Sequence, residues 1–116
     1  MVTSDHNPID IEHKKMEFDM AKNGTIGLES AFGALMTVLP LETVIEKLTA
    51  GKSIFKIESP SIEEGAKASI SLFNPEGTAI FNKSSILSKS KNAAFLGTAT
   101  KGKTYGIVNQ GKLTLA

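Results

Sequence analysis

The sequence predicts an α+β chain, helical in its first half and built of short antiparallel strands in its second. Three observations predict it. From Leu28 to Leu48 apolar residues recur at spacings of three and four. From Ala68 to Phe73 they alternate with polar ones. Asn109-Gln110-Gly111-Lys112 separates two further β-prone runs. The first pattern puts one apolar stripe on a helix, and the second gives a strand one buried face.

The elements follow in order. Val2-Thr3-Ser4-Asp5 is β-prone and runs straight into His6-Asn7-Pro8. It reads as a short strand, either an ordinary one or the end of a strand cut from a larger fold. Asp10 to Asn23 is weakly amphipathic and reads as a helix or an irregular turn, with Gly24 suited to stop it. Leu28, Ala31, Phe32, Leu35, Met36 and Leu39 form the first strong stripe. Pro40 ends that helix or starts the next, whose stripe is Leu41, Val44, Ile45 and Leu48. Gly51 breaks the pattern, and Ile54, Phe55 and Ile57 close a short third segment. The stripes of this helical hairpin need a partner surface.

Glu64-Gly65 signals a turn into the second half. Ala68, Ile70 and Leu72 share the buried face of a strand. Asn74-Pro75-Glu76-Gly77 predicts a turn into a second strand over Thr78–Phe81. The Ser/Lys-rich stretch from Ser84 to Lys91 predicts a loop. Thr104–Val108 and Leu113–Leu115 predict a hairpin in which Gly111 takes the positive φ.

Composition narrows the function. With 116 residues the chain is one domain or part of a larger one. A hydrophobic content of 41% argues against wholesale disorder. The absence of cysteine excludes disulfides, thiolate metal sites and cysteine nucleophiles. No apolar run approaches the ~20 residues of a membrane span, and no basic start precedes an apolar run, so the expected location is the cytoplasm. All thirteen basic residues are lysine, so these side chains alone cannot build a bidentate guanidinium clamp. Residues 1–58 hold six Lys against nine acidic residues, net −3, and residues 59–116 hold seven Lys against three Glu, net +4. That excess is small and the aromatics lack stacking spacing, so no nucleic-acid partner is expected.

No complete active site is present. Two histidines, His6 and His13, are too few nitrogen ligands for a zinc site. Ser4, Asp5 and His6 are adjacent, and neighbours on a strand point to opposite faces, so they are not a triad. Gly24-Thr25-Ile26-Gly27 precedes a helix and could hold an anion on its backbone N–H groups, or could be a plain turn. Asp5 is either a turn-capping residue or a strand-end carboxylate of the kind (β/α)8 barrels use for catalysis.

The order of segments then resembles the closing part of a dihydroorotase, an amidohydrolase-superfamily enzyme. The residues that carry the resemblance are Thr3-Ser-Asp-His-Asn-Pro8, Glu17-Phe18, Ala21 and Gly24-Thr-Ile-Gly-Leu-Glu29, followed by Ile62-Glu-Glu-Gly65 and Ala68-Ser-Ile-Ser-Leu-Phe-Asn-Pro75. Ser88-Lys-Ser-Lys-Asn92, Phe95-Leu-Gly97, Lys101-Gly-Lys103, Ile107-Val-Asn109 and Gly111-Lys112 extend it almost to the end.

The resemblance implies a C-terminal fragment. Residues 1–58 would be the end of the barrel, with Val2–Asp5 as its eighth strand, and residues 59–116 would belong to a small C-terminal β-domain or sandwich. It implies interconversion of dihydroorotate and carbamoyl-aspartate, in pyrimidine biosynthesis, at zinc held by the full-length parent. The isolated fragment would hold no zinc and be inactive. Asp5 would be the catalytic carboxylate and a metal ligand once the rest of the barrel is supplied. Asn7, Gly24 and Gly27 would bind substrate. The chain departs from the family pattern at Ile9, where a substrate-binding His is frequent, and at Lys22-Asn23, Ala50-Gly51 and Ser69. Ile9 motivates the alternative of a non-catalytic scaffold that binds aspartate carbamoyltransferase. A homodimer is a further implied assembly.

Overall fold

The computed structural model describes residues 1–116. Three helices are followed by three strands: α1 (Leu28–Val38), α2 (Leu41–Thr49), α3 (Gly51–Ile54), β1 (Ser69–Ile80), β2 (Ala99–Asn109) and β3 (Lys112–Leu115). The strands form one antiparallel sheet in the order β1-β2-β3. Helices ahead of an antiparallel sheet make this a small α+β fold, as the sequence patterns predict.

The two main helices start and stop for local reasons. The residue before a proline is pushed out of the helical region. Leu39 is accordingly extended at φ −127°, ψ 150°, and Pro40 serves as the N-cap of α2. The helical run breaks at Ala50, and Gly51 opens the separate short helix α3. Asp10–Asn23 forms only a 3-10 turn at Glu12–Lys14, with the remainder irregular.

The expected strand at Val2–Asp5 does not form. A strand exists only where a neighbour accepts its hydrogen bonds, and this segment has none of its own. Instead Val2 N donates to Lys47 O of α2 (3.0 Å) and Asn7 N donates to Thr25 O (2.9 Å).

The expected turn at Asn74–Gly77 is also corrected. β1 continues through it, because both flanks pair with β2: Asn74 faces Lys103 and Thr78 faces Lys101. Three residues thus stand opposite Gly102 alone, a bulge larger than the usual two against one. The turn chemistry is real, since Glu76 N donates to Asn74 Oδ1 (3.0 Å), but it bends the strand without reversing it. The Gln110-Gly111 hairpin forms as expected, with both residues at positive φ (49° and 75°).

Helix α1 lies across β2 at this bulge. A Cβ on Gly102 would sit 2.9 Å from Phe32 and 3.0 Å from Met36, so its missing side chain admits the helix. Phe32 also meets Phe73 edge-on at 5.0 Å. A second cluster joins Ile26, Phe81 and Ile86.

Only Ile26, Ser30, Met36, Val44, Phe81 and Ile86 are buried. The accessible surface is 8706 Å², against about 6,100 Å² for a compact monomer of 12.3 kDa. The radius of gyration is 16.3 Å, against about 13 Å for a compact domain of this length. Leu28 and Ile45, both on the stripes expected to be covered, stay exposed. The sheet beyond α1 shows the same excess. Ile70, Val108 and Leu113 stand in register, with Leu113 exposed.

Candidate functional site

Two loops meet at the N-terminal end of α1. One is residues 4–9, the other residues 24–27. They lie so close that a Cβ on Gly27 would stand 2.4 Å from Ser4 O, and one on Gly24 would stand 2.8 Å from the side chains of Asn7 and Ile9. Asn7 Nδ2 reaches Asn23 O at 3.5 Å. The structure therefore brings Asn7, Gly24 and Gly27 together, as the sequence reading groups them.

Asp5 stands at the bend of the first loop. Its φ is +44°, a left-handed conformation that costs a non-glycine residue free energy. Its carboxylate is exposed and engages no donor. No three His, Cys, Asp or Glu side chains converge on a point that could hold a metal ion. Asp5 is therefore a lone ligand at most, and these residues do not by themselves make a metal centre.

His6 anchors the bend. Its Nδ1 accepts from the backbone N–H groups of Gly27 and Leu28, each at 3.2 Å. Those are orphan donors of a helix start, and Gly27 has no side chain to satisfy them. An Nδ1 that accepts leaves the ring proton on Nε2. The amide of Gly27, expected to be free for a substrate carboxylate, is thus already occupied.

Beside His6 lies Glu29, with Oε2 at 3.8 Å from His6 Nδ1. Its Oε1 accepts from Ser88 N (2.9 Å) and from the Ser88 hydroxyl. Oε2 is buried without a hydrogen-bond partner. Burial pushes the Glu29 carboxyl up, but the two Ser88 donors, its own backbone N–H and nearby His6 together outweigh it and hold it below its ordinary 4.5.

The segment from Ser88 to Ala94 ties the second half of the chain onto this site. Ser90 Oγ donates to Ile9 O (2.7 Å), and Asn92 Nδ2 donates to Gly24 O (3.0 Å). Ile26 N donates to Asn92 O (2.9 Å), and Ala94 N donates to Thr25 Oγ1 (3.0 Å). Sequence reasoning placed Glu29 in the first turn of α1, where a carboxylate favours the helix dipole, but predicted none of the contacts among His6, Glu29 and Ser88. No local pattern signals these contacts, because Glu29 and Ser88 lie 59 residues apart.

The Glu29–Ser88 junction should be acid-labile. A carboxyl whose folded pKa is depressed stabilises the fold above its unfolded pKa and loses that contribution as pH falls through the folded value. Ser88→Ala should cost about 1–3 kcal/mol near neutrality. The difference from the unaltered chain should shrink as pH drops below the ordinary range of Glu29. Urea midpoints of both proteins across the acid range test this; a pH-independent difference would refute it.

Comparison with known proteins decides the kinship. No protein-family model matches the chain. A dihydroorotase of Syntrophus aciditrophicus is 31% identical over 118 residues, covering 97% of this chain and 28% of the relative. That of Chlorobaculum tepidum is 31% identical over 121 residues, with 98% and 28% covered. The chain is a relative of the dihydroorotases. A third dihydroorotase, of Endomicrobium trichonymphae, is 34% identical over 109 residues, with 87% and 26% covered. The chain thus spans a little over a quarter of the length of the dihydroorotases it matches. No helix is long and apolar enough to cross a membrane.

Proposed function

We propose that the chain is the C-terminal portion of a dihydroorotase-like cyclic amidohydrolase, which hydrolyses dihydroorotate reversibly to carbamoyl-aspartate. The observation that carries this reading is the match to dihydroorotases over 97% of the chain but 28% of theirs. The excess exposed surface supports it, because the helices and sheet carry apolar area that further polypeptide would cover. In this reading residues 1–58 close the barrel and residues 59–116 belong to the attached β-domain.

Asp5 is the group that moves the proton. Opening a cyclic amide requires a proton to be taken from the attacking water and given to the leaving nitrogen. An exposed carboxylate on a bent loop, whose next two residues, His6 and Asn7, are tied to the 24–28 segment, suits that task. Asn7 and the glycines of the 24–27 loop shape the wall beside it. A zinc ion would have to be held chiefly by residues outside this chain.

The test is complementation. The dihydroorotase of Syntrophus aciditrophicus, cut to remove the matching 28%, is co-expressed with this chain. Zinc content and dihydroorotate turnover are measured for each part and for the mixture. The chain alone should show neither tight zinc nor turnover, and the mixture should regain both. Turnover by the chain alone, or no association at all, would overturn the reading.

A second reading has its own observation. Ile9 packs its side chain against Gly24 where many dihydroorotases carry a substrate-binding histidine. An aliphatic group there gives no polar contact to a substrate. A non-catalytic scaffold, binding aspartate carbamoyltransferase or a second copy of itself, fits that change. A complex that forms and binds zinc without turnover would favour it.

A further inference from the structure

We propose that this chain carries an anion-binding groove, next to the Asp5 bend and sharing His6 and Pro8 with its loop, that takes a small carboxylate or phosphate monoester. Two cavities form it. One, of about 520 Å³, is lined by His6, Pro8, Asp10, Ser88, Lys89 and Ser90 and has no hydrophobic residue in its wall. The other, of about 500 Å³, adds Lys83 and Lys91. They share Asp10, Lys89 and Ser90, so they are two ends of one depression.

The segment 88–92 builds one wall of this groove. Within it the side chains of Ser88, Ser90 and Asn92 are committed to Glu29, Ile9 and Gly24. Lys89 and Lys91 supply the charged part of the same wall. Lys83 joins them from the 3-10 turn Lys83–Ser85.

Three lysines and one aspartate line the depression. The carboxylate of that aspartate, Asp10, already accepts from the His13 backbone N–H (2.9 Å) and lies 2.7 Å from His13 Nδ1. Lys91 Nζ donates to Ile86 O (2.7 Å), which fixes its position. Lys83 and Lys89 have no acidic partner within ion-pair distance. His6 lines the wall as well. A concave wall with excess positive charge concentrates anions more than a flat surface does. Lysine offers point charges without a planar fork, so the groove should accept carboxylate and phosphate alike.

The groove does not depend on the dihydroorotase reading, so binding can be measured on the chain itself. Amide spectra are recorded while inorganic phosphate, and separately succinate, is added at constant ionic strength. Saturable shifts should appear at residues 83–92 and around His6. Lys83→Gln and Lys89→Gln should each weaken binding about two- to five-fold, the range of an exposed charge contact. Neither side chain makes a hydrogen bond, so both variants should keep the fold. Lys112→Gln, in β3, should leave binding unchanged. Saturation with either probe supports the groove and assigns its preference. Linear or chain-wide shifts with both probes, or equal weakening by Lys112→Gln, would show only general attraction and overturn it.

Discussion

Ile26→Ala should remove a large share of the chain's stability. Ile26 is 1% exposed and packs with Phe81 and Ile86. It sits where the two halves join, with its amide bonded to Asn92 O and a parallel bridge to Ala93. Truncating a buried isoleucine to alanine costs about 2–5 kcal/mol, from lost transfer free energy and the cavity left behind. Small domains hold roughly 5–15 kcal/mol in all. With six buried side chains, this one belongs at the lower end. The alanine cannot be compensated by collapse, because the backbone on both sides is pinned by hydrogen bonds. Urea unfolding followed by far-ultraviolet circular dichroism measures the loss. Ile62→Ala, at a residue 86% exposed, should shift stability by no more than about 0.5 kcal/mol. Equal, small effects at both positions would mean that Ile26 does not hold the halves together.

Asp5→Asn should abolish most of the turnover in the complemented enzyme. Removing a positioned acid–base group typically costs about 10²–10⁴-fold. Asparagine keeps the size of the side chain and tolerates the left-handed backbone at φ +44°, so the loop should keep its shape. The loss should fall on kcat more than on KM, since the carboxylate serves the proton transfer. His6→Ala should act differently. It removes the acceptor for the Gly27 and Leu28 amides and loosens the loop, so both constants should change. His6→Asn should recover part of the loss, because Asn Oδ1 can take the place of Nδ1. Full activity in Asp5→Asn would remove Asp5 from the chemistry.

Both predictions depend on the same junction, and the sequence showed only its pieces. Asn7, Gly24 and Gly27 were visible as motif residues, and the structure brings them together. The occupation of the Gly27 amide by His6 was not visible, because a histidine in a loop gives no sign of which helix it will reach. The Glu29–Ser88 contact spans 59 residues and leaves no periodic trace. Asp5 was legible as a candidate by residue type, while its left-handed backbone was not.

The same division runs through the fold. By itself the sequence determined α1, α2 and the Gln110-Gly111 hairpin, because each follows from contacts between residues at most a few positions apart. Periodicity, a proline and a positive-φ glycine are sufficient there. Only the tertiary structure decided that Val2–Asp5 stays unpaired, that Asn74–Gly77 bulges within β1, and that Ser88–Ala94 clamps the loop before α1. Strand and loop contacts of this kind depend on which distant backbone supplies the partner. A local pattern carries the propensity to pair, and the chain's long-range packing decides whether a partner is there.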